Sequence, residues 1–503
     1  MTIKLPRFNR HNQRHFYLIS LLVSLVYSSE IHADEKLSVS PSKYVFEEIQ
    51  ADFSEFPVTV PSSYKSHRGY LIVEETRPNG TRLTNKLPVI IVKAQQQSNK
   101  PPVLKLSGGP GISGLIDAAY PNAYPWLSDR DFILLGQRGT HDAEPALLCN
   151  DYLLALQSDK QSNEELIKAA LDCRNKYTKS QVDLNAYHSS ASAKDIEGLR
   201  LALGITKLSI YAGSYGTRLA LTYARDFPDS VSSMVLDSPL PHNVSFDDEY
   251  PGNVRSVLQK IADICDSQPQ CSSAFPNLFD RFIQTLHDVS DNPWSFKSTA
   301  GATVTLSNYQ LVGLLNISSS AGVNQAPVIM DAIARKDITV ISQLLNIKTR
   351  PVKFAWGMRL SVWCSESLPY SRRAVRKDTN AFADIDGAVI APEICKLWNV
   401  QKRPSNEKLA TESSVPTLII AGDFDALTPP KWGALITQSL NNSYLVNVPF
   451  GHHSETKNWS GDGCAMSIAN NFLKHEIAFL DKPASYTECL KTRKPPEFIL
   501  SVN

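Results

Sequence analysis

The sequence lacks an excess of charge of either sign. Its 503 residues include 51 Lys and Arg against 50 Asp and Glu, a formal net charge of +1 at pH 7. A near-neutral chain has no general electrostatic attraction to nucleic acid or anionic lipid, so neither is expected as its main partner. Internal repeats, low-complexity runs and coiled-coil heptads are also missing. Their absence excludes solenoid and fibrous architectures.

Long hydrophobic runs are missing too, apart from a short one near the N-terminus. Cationic residues between Lys4 and Arg14 precede the apolar residues 16–27, and residues 31–33 (Ile-His-Ala) offer a cleavage site. This order is typical of a secretory signal peptide, predicted for residues 1–33. The run is shorter than the ~18 to 20 residues of a spanning helix, so an uncleaved anchor is the less favoured alternative. Cleavage removes four cations and one anion, leaving a chain of formal charge −2 with no membrane span.

The eight cysteines include no Cys-x-x-Cys pair, and no histidine-rich cluster accompanies them. The pattern therefore argues against zinc, and we expect no metal and no cofactor. The grouping of the cysteines along the chain favours four local disulfides. The predicted pairs are Cys149–Cys173, Cys265–Cys271, Cys364–Cys395 and Cys464–Cys489. Such bridges persist in an oxidising compartment, so they agree with a secreted or periplasmic location.

One serine stands where an apolar, β-rich segment passes into a helical pattern. The β-rich segment ends at Ala212, Ser214 follows, and the helical pattern begins at Tyr215. The small residues Ala212 and Gly216 allow a sharp turn that exposes the Ser214 hydroxyl and leaves the Tyr215 N–H free for an oxyanion. The pattern predicts Ser214 as a nucleophile, provided that the chain also supplies a base and an acid.

Both partners follow later in the sequence. A predicted strand over residues 417–421 ends shortly before Asp425, and another over residues 443–448 ends shortly before His452. Since the carboxyl ends of parallel strands gather at one edge of a sheet, Ser214, Asp425 and His452 are expected to converge there. The predicted roles are nucleophile, orienting acid and general base.

Alternatives exist for the acid and the base. Asp423 precedes an aromatic residue and is better explained as the cap of its turn. Asp237 follows the neighbouring predicted strand, a placement that some hydrolases use for the acid, but Asp425 is favoured. His453, directly after His452, is interpreted as a solvated neighbour.

A glycine-rich turn completes the predicted site. The predicted strand over residues 103–106 runs into residues 107–111 (Ser-Gly-Gly-Pro-Gly), whose bare backbone can approach a substrate closely. The N–H of Gly109 is predicted as the second oxyanion donor, beside that of Tyr215. A strand over residues 132–135 leads into another turn at the same edge.

These motifs resemble those of the proline iminopeptidase and tripeptidyl aminopeptidase branch of the α/β-hydrolases. That branch carries, in order, Gly-Gly-Pro-Gly, Asp-Gln-Arg-Gly-Thr-Gly, Gly-x-Ser-Tyr-Gly-Thr, Gly-x-x-Asp-x-x-Thr-Pro and Gly-His. The corresponding segments here are 108–111, 136–141, 212–217, 422–429 and 451–452. The resemblance extends from about residue 56 to the C-terminal helix.

The resemblance implies an α/β fold of the α/β-hydrolase type, with a mostly parallel central sheet and an inserted helical cap. The sequence agrees, because several segments between the two halves show helical periodicity and none shows a strong strand pattern. The expected core comprises residues 34–240 and 412–503, and the expected cap comprises residues 241–411.

The same resemblance implies a serine exopeptidase that cleaves peptides from a free N-terminus. The ammonium group of such a substrate needs a carboxylate in a partly desolvated place. Glu366, beside the bridged Cys364, is the candidate, whereas residues 247–249 (Asp-Asp-Glu) are better explained as a solvated acidic face. An esterase or lactonase with the same triad is the alternative. An inactive binding protein is disfavoured, because all three triad residue types are present. The sequence does not determine the oligomeric state.

Overall fold

The computed structural model describes residues 43–49, 56–76, 82–156, 163–299, 301–345, 354–372, 390–457 and 462–501. The predicted signal peptide, residues 1–33, lies outside the described residues. Among the residues described, the helices all fall short of the length and apolar character that a membrane crossing requires.

Strands and helices alternate over much of the described chain. The strands are β1 (Tyr44–Glu48), β2 (Ser66–Thr76), β3 (Arg82–Val92), β4 (Val103–Leu106), β5 (Phe132–Leu135), β6 (Leu208–Gly213), β7 (Val231–Asp237), β8 (Trp294–Lys297), β9 (Thr303–Leu306), β10 (Thr417–Gly422) and β11 (Ser443–Val448). The helices are α1 (Asn150–Leu156), α2 (Asn163–Lys179), α3 (Ser189–Ala202), α4 (Tyr215–Asp226), α5 (Phe246–Ser267), α6 (Pro269–Ala274), α7 (Leu278–Asp291), α8 (Asn308–Gly313), α9 (Ser320–Ala334), α10 (Ile338–Leu345), α11 (Trp356–Glu366), α12 (Pro392–Trp398), α13 (Pro430–Thr437) and α14 (Cys464–Asp481).

The described strands form one large sheet and one separate hairpin. The sheet has the order β1-β2-β3-β5-β4-β6-β7-β10-β11. Strands β1, β2, β3 and β5 pair antiparallel, and from β5 to β11 every neighbouring pair is parallel. The predicted mostly parallel sheet is confirmed. The carboxyl ends of β4, β6, β7, β10 and β11 therefore lie along one edge, as the sequence analysis expected.

Both faces of the sheet are covered, because buried side chains alternate along its strands. On β6, Ile210 and Ala212 belong to the hydrophobic cluster on one face. Tyr211, between them, belongs to the cluster on the other face, which includes Trp126 and the α14 residue Phe472. This double burial explains why the central strands read as nearly continuous apolar runs.

Helices α5 to α10 enclose a hydrophobic cluster of their own, between β7 and β10 in sequence. Ile261, Phe282 and Ile329 are buried at its centre. The turn that carries Asp425 contributes to this cluster, because Phe424 and Ala426, the two neighbours of Asp425, are buried in it. We call the unit formed by α5 to α10 the cap.

The insert differs from the sequence expectation in two respects. It contains the antiparallel hairpin β8–β9, whose four-residue strands are too short to show a clear alternation. Helices α11 and α12 also lie within the predicted cap, but Met358, Trp363 and Trp398 pack in the cluster of the sheet rather than in that of the cap. The boundaries 241 and 411 remain a prediction.

The four predicted disulfides are present. They join Cys149 to Cys173, Cys265 to Cys271, Cys364 to Cys395 and Cys464 to Cys489. Each bridge closes a loop of 6 to 31 residues in sequence separation, so all four are local, as predicted. Four such bridges suggest an extracellular or periplasmic protein.

Candidate active site

Ser214 occupies a strained turn between β6 and α4. Its backbone has φ 56° and ψ −129°, a conformation that non-glycine residues rarely adopt. The Ser214 N–H donates to the carbonyl of Asp237 on β7 at 2.9 Å. A Cβ on Gly216 would lie 2.3 Å from the Leu106 carbonyl oxygen, so glycine is required there. The sharp strand-to-helix turn predicted from the sequence is therefore present.

The glycine-rich turn after β4 lies directly against this serine. A Cβ on Gly108 would lie 2.8 Å from Ser214 Cβ and 3.2 Å from Ser214 Oγ, so only glycine permits the approach. Gly109 has φ +111°, in the region that favours glycine. Its carbonyl accepts a hydrogen bond from Arg359 of α11. The N–H of Tyr215 belongs to the first turn of α4, where amides have no partner within the helix.

Asp425 is fully buried in the turn after β10. Its Oδ1 accepts the N–H groups of Leu427 at 2.9 Å and Thr428 at 2.8 Å. Its Oδ2 accepts the Thr428 hydroxyl at 2.6 Å and His453 Nδ1 at 2.8 Å. Four donors thus hold a carboxylate that points at an imidazole, the arrangement that an orienting acid requires. The role of Thr428 was missed, although Asp-x-x-Thr-Pro is part of the motif matched in the sequence.

The ring on Asp425 is that of His453, and the prediction of His452 at this position is wrong. A carboxylate only accepts hydrogen bonds, so His453 Nδ1 carries the proton and Nε2 is left as the acceptor. His453 is not a solvated neighbour, since its side chain is 14% exposed. Because the two histidines are adjacent and follow the same strand, the sequence alone does not show which ring faces Asp425.

His452 points elsewhere. Its N–H donates to Glu455 Oε1 at 2.7 Å, and its ring Nδ1 donates to the carbonyl of His453 at 3.0 Å. The ring Nε2 lies 3.5 Å from Glu455 Oε1. The groups that bind His452 therefore belong to its own loop, which suits a structural residue.

The two rival aspartates have other partners. Asp237 Oδ2 accepts the N–H of Thr456 at 3.0 Å and also its hydroxyl. Asp423 Oδ2 accepts the N–H of Phe450, in the turn after β11, at 3.3 Å, so this side chain joins two turns, and its interpretation as the cap of its own turn stays a prediction. Asp237 thus holds the loop that carries the histidines, whereas Asp425 binds a histidine ring.

Electrostatics couple Asp425 to His453. Burial alone raises the pKa of Asp425. The charge of protonated His453 and the hydrogen bonds from His453 and Thr428 lower this pKa by more than burial raises it, so the net shift is downward. Burial alone lowers the pKa of His453, but the charge of Asp425, its hydrogen bond and the charge of Asp237 raise the pKa above its ordinary value. The pair therefore stabilises an imidazolium, the species formed when His453 takes up a proton.

Glu366, the predicted partner of a substrate ammonium group, is buried and already bound within the protein. Its Oε1 accepts the N–H of Ser189 at 2.5 Å, and its Oε2 accepts Ser189 Oγ at 2.8 Å and Arg218 Nε at 3.2 Å. The adjoining cavity is also lined by Arg225, Arg403 and Lys408. Glu407 lines the same cavity and pairs with Arg403, and burial lowers the pKa of Lys408 to about 7. An amine that bound Glu366 would have to share the carboxylate with Arg218.

Residues 247–249 do not form the solvated acidic face expected from the sequence. The Asp247 carboxylate is buried and accepts Trp363 Nε1 at 3.0 Å and Ser367 Oγ at 2.9 Å. The Glu249 carboxylate accepts Trp432 Nε1 at 3.0 Å. Both side chains attach the start of α5 to neighbouring elements.

Comparison with known proteins identifies the family to which this fold belongs. The family model described as alpha/beta hydrolase fold matches residues 101–454. YuaR of Escherichia coli (strain K12) is 27% identical over 403 residues, which cover 74% of this chain and 76% of YuaR. The serine protease Hip1 of Mycobacterium tuberculosis (strain ATCC 25618 / H37Rv) is 23% identical over 413 residues, 73% of this chain and 77% of Hip1. The tripeptidyl aminopeptidase of Streptomyces lividans is 31% identical over 147 residues, 26% of this chain and 27% of that protein.

The family match spans well over half of the chain, and it includes the strands and turns that carry Ser214, Asp425 and His453. The order of these three residues along the chain, and their position after β6, β10 and β11, are those of the family. The chain therefore belongs to the alpha/beta hydrolase family.

Proposed function

We propose that this protein is an exported serine hydrolase that removes residues from the free N-terminus of peptides through an acyl-enzyme on Ser214. The observation that carries the proposal is the buried Asp425–His453 pair at the sheet edge where Ser214 stands in its strained turn. Relatives named serine protease and tripeptidyl aminopeptidase support the choice of peptides as substrates.

In the proposed mechanism His453 Nε2 takes the proton of Ser214 as the serine oxygen attacks the scissile carbonyl. Asp425 keeps the proton on Nδ1 and stabilises the imidazolium. The N–H groups of Tyr215 and Gly109 stabilise the oxyanion. His453 then protonates the leaving amine, and a water molecule, activated by the same ring, releases the acyl group and restores Ser214.

The experiment that tests this function offers the purified protein a panel of chromogenic amides. The panel contains aminoacyl, dipeptidyl and tripeptidyl amides, each also in an N-acetylated form, with short-chain esters beside them. The proposal expects free-amine peptides to react at least about tenfold faster than their acetylated forms, because acetylation removes a charge-assisted hydrogen bond of ~1.5 to 3 kcal/mol. The Ser214→Ala variant is the control for contaminating hydrolases.

Equal rates on free and acetylated peptides would falsify N-terminal specificity. A strong preference for plain esters would favour the esterase or lactonase instead, because the triad does not determine the leaving group. Export is tested separately by sequencing the N-terminus of the protein recovered outside the cytoplasm. A mature chain that begins at Asp34 is expected, and a chain that keeps residues 1–33 contradicts cleavage.

A further inference from the structure

The loop that carries the two histidines is packed on one buried carboxylate. The Glu455 side chain is 1% exposed, and its Oε1 accepts the His452 N–H at 2.7 Å. A Cβ on Gly451 would lie 2.9 Å from Glu455 Cδ, so the loop backbone runs directly over this side chain. The position of His453, one residue further on, therefore depends on where Glu455 is held.

A buried carboxylate is costly unless a cation and hydrogen bonds compensate it. Arg493, 38 residues later in the chain, supplies both, because its Nη1 donates to Glu455 Oε2 at 2.9 Å. Its side chain is 12% exposed, so the pair is largely shielded from water. Among the described residues, the His452 ring also lies near Glu455, with Nε2 3.5 Å from Oε1. Loss of Arg493 would remove the guanidinium that compensates the charge of the buried Glu455 carboxylate, so the carboxylate and the loop that it holds would shift.

The segment that carries Arg493 is fixed at both ends. On the core side the disulfide Cys464–Cys489 attaches it to α14. On the cap side Pro496 accepts a hydrogen bond from Gln268 Nε2 at 3.2 Å, and the N–H of Ile499 donates to the carbonyl of Asn324 in α9 at 2.9 Å. Phe498 packs against the hydrophobic cluster of the cap. Arg493 thus reaches the histidine loop from a segment that connects the core with the cap.

We propose that Arg493 is a positioning residue for the catalytic histidine: by neutralising Glu455 it lets that carboxylate hold the His452 N–H and so fixes His453 against Asp425. The proposal rests on the proposed function, in which His453 is the base. The guanidinium acts through Glu455, so it should affect the chemical step and leave substrate binding unchanged.

The test compares Arg493→Gln and Arg493→Lys with Lys494→Gln, which removes a neighbouring exposed cation. We expect Arg493→Gln to lower kcat, and the rate of Ser214 labelling by a fluorophosphonate, by about 10- to 100-fold, because small displacements of a catalytic group have costs of that order. KM should stay within about threefold. Arg493→Lys should recover most of the loss, and Lys494→Gln should match the wild type.

A second variant guards against simple loss of folding. Glu455→Gln keeps an acceptor for the His452 N–H but carries no charge to neutralise, so Arg493→Gln should cost much less in that background. If Arg493→Gln lowers kcat equally in the wild type and in Glu455→Gln, or changes KM with kcat unchanged, the positioning role is overturned. Wild-type protein that is not labelled at Ser214 overturns the proposed function as well, so the two failures are distinguishable.

Discussion

The turn that carries the nucleophile and the loop that carries the base are built in different ways. The Ser214 turn is made from local sequence: a strand, three small residues around the serine and a helix within ten residues. The loop over residues 451–457 is held by distant groups. Glu455, Thr456 and Lys457 are consecutive, yet they bind Arg493, Asp237 and Asp117 respectively.

This difference explains which part of the site can be predicted. A local motif predicts the position and the strain of Ser214, although backbone groups of Leu106 and Asp237 also contact the turn. The histidine loop, by contrast, is held by three polar contacts that join separate elements, and in this loop His453 rather than His452 contacts Asp425. The cap adds a further long-range constraint, because Phe424 beside Asp425 is buried in its hydrophobic cluster.

The largest effect is expected at the locally determined turn. Ser214→Ala should lower turnover by on the order of 10⁴ to 10⁶, because it removes the nucleophile and leaves the oxyanion donors in place. Circular dichroism and thermal unfolding should match the wild type. Fluorophosphonate labelling should disappear, and labelling that persists in this variant would contradict the assignment.

The next largest effect is expected at Asp425. Asp425→Asn should lower turnover by on the order of 10³ to 10⁴ through loss of the tautomer of His453, whereas Asp423→Asn is the matched control and should change it little. The pH profile gives an independent readout. The carboxylate raises the pKa of His453, so the acid limb of kcat/KM should lie above the ordinary imidazole value of about 6.5 and should move to lower pH in Asp425→Asn. An acid limb that lies at the same pH in Asp425→Asn as in the wild type would contradict the pairing of Asp425 with His453.

A smaller effect is expected when a long-range contact of the loop is weakened. Asp237→Asn keeps an acceptor for Thr456 but removes a charge that helps to raise the pKa of His453. Turnover should fall by about 10-fold, and the acid limb should shift toward lower pH by less than in Asp425→Asn. A loss as large as that of Asp425→Asn would instead indicate that Asp237 is the orienting acid.

The smallest effect on the chemical step is expected at Glu366. If this carboxylate also serves the substrate, Glu366→Gln should reduce the preference for free over acetylated peptides by about tenfold and spare a small activated ester. If it only joins α11 to Ser189 and Arg218, the variant should lower the melting temperature and leave the preference unchanged. The ratio of the rates on free and acetylated peptides, measured in the wild type and in Glu366→Gln together with thermal unfolding curves, separates these roles.

The sequence predicted those features that depend on neighbours along the chain. The strands that lead to the site, the four disulfides and the strained serine turn all rest on short segments with a clear pattern. Hairpin β8–β9 was missed because its strands are too short to show an alternating pattern. The placement of α11 and α12 on the core was missed because helical periodicity does not indicate which hydrophobic cluster a helix packs against.

The acidic residues at the start of α5 show the same limit. Asp247 and Glu249 were interpreted as a solvated face because an acidic run usually is one, yet each finds an indole N–H donor on another element. Arg493 gave no signal at all, since it stands in a C-terminal segment far from the motifs. Such partners become visible only when the fold brings distant residues together.

The central claim is that long-range contacts select His453, not His452, as the base. The most direct test is the rate of fluorophosphonate labelling of Ser214, followed by intact mass, in His452→Gln and His453→Gln. We predict a loss on the order of 10⁴ in His453→Gln and a rate within about fivefold of wild type in His452→Gln. The opposite result, with His452→Gln inactive and His453→Gln labelled normally, would contradict this account.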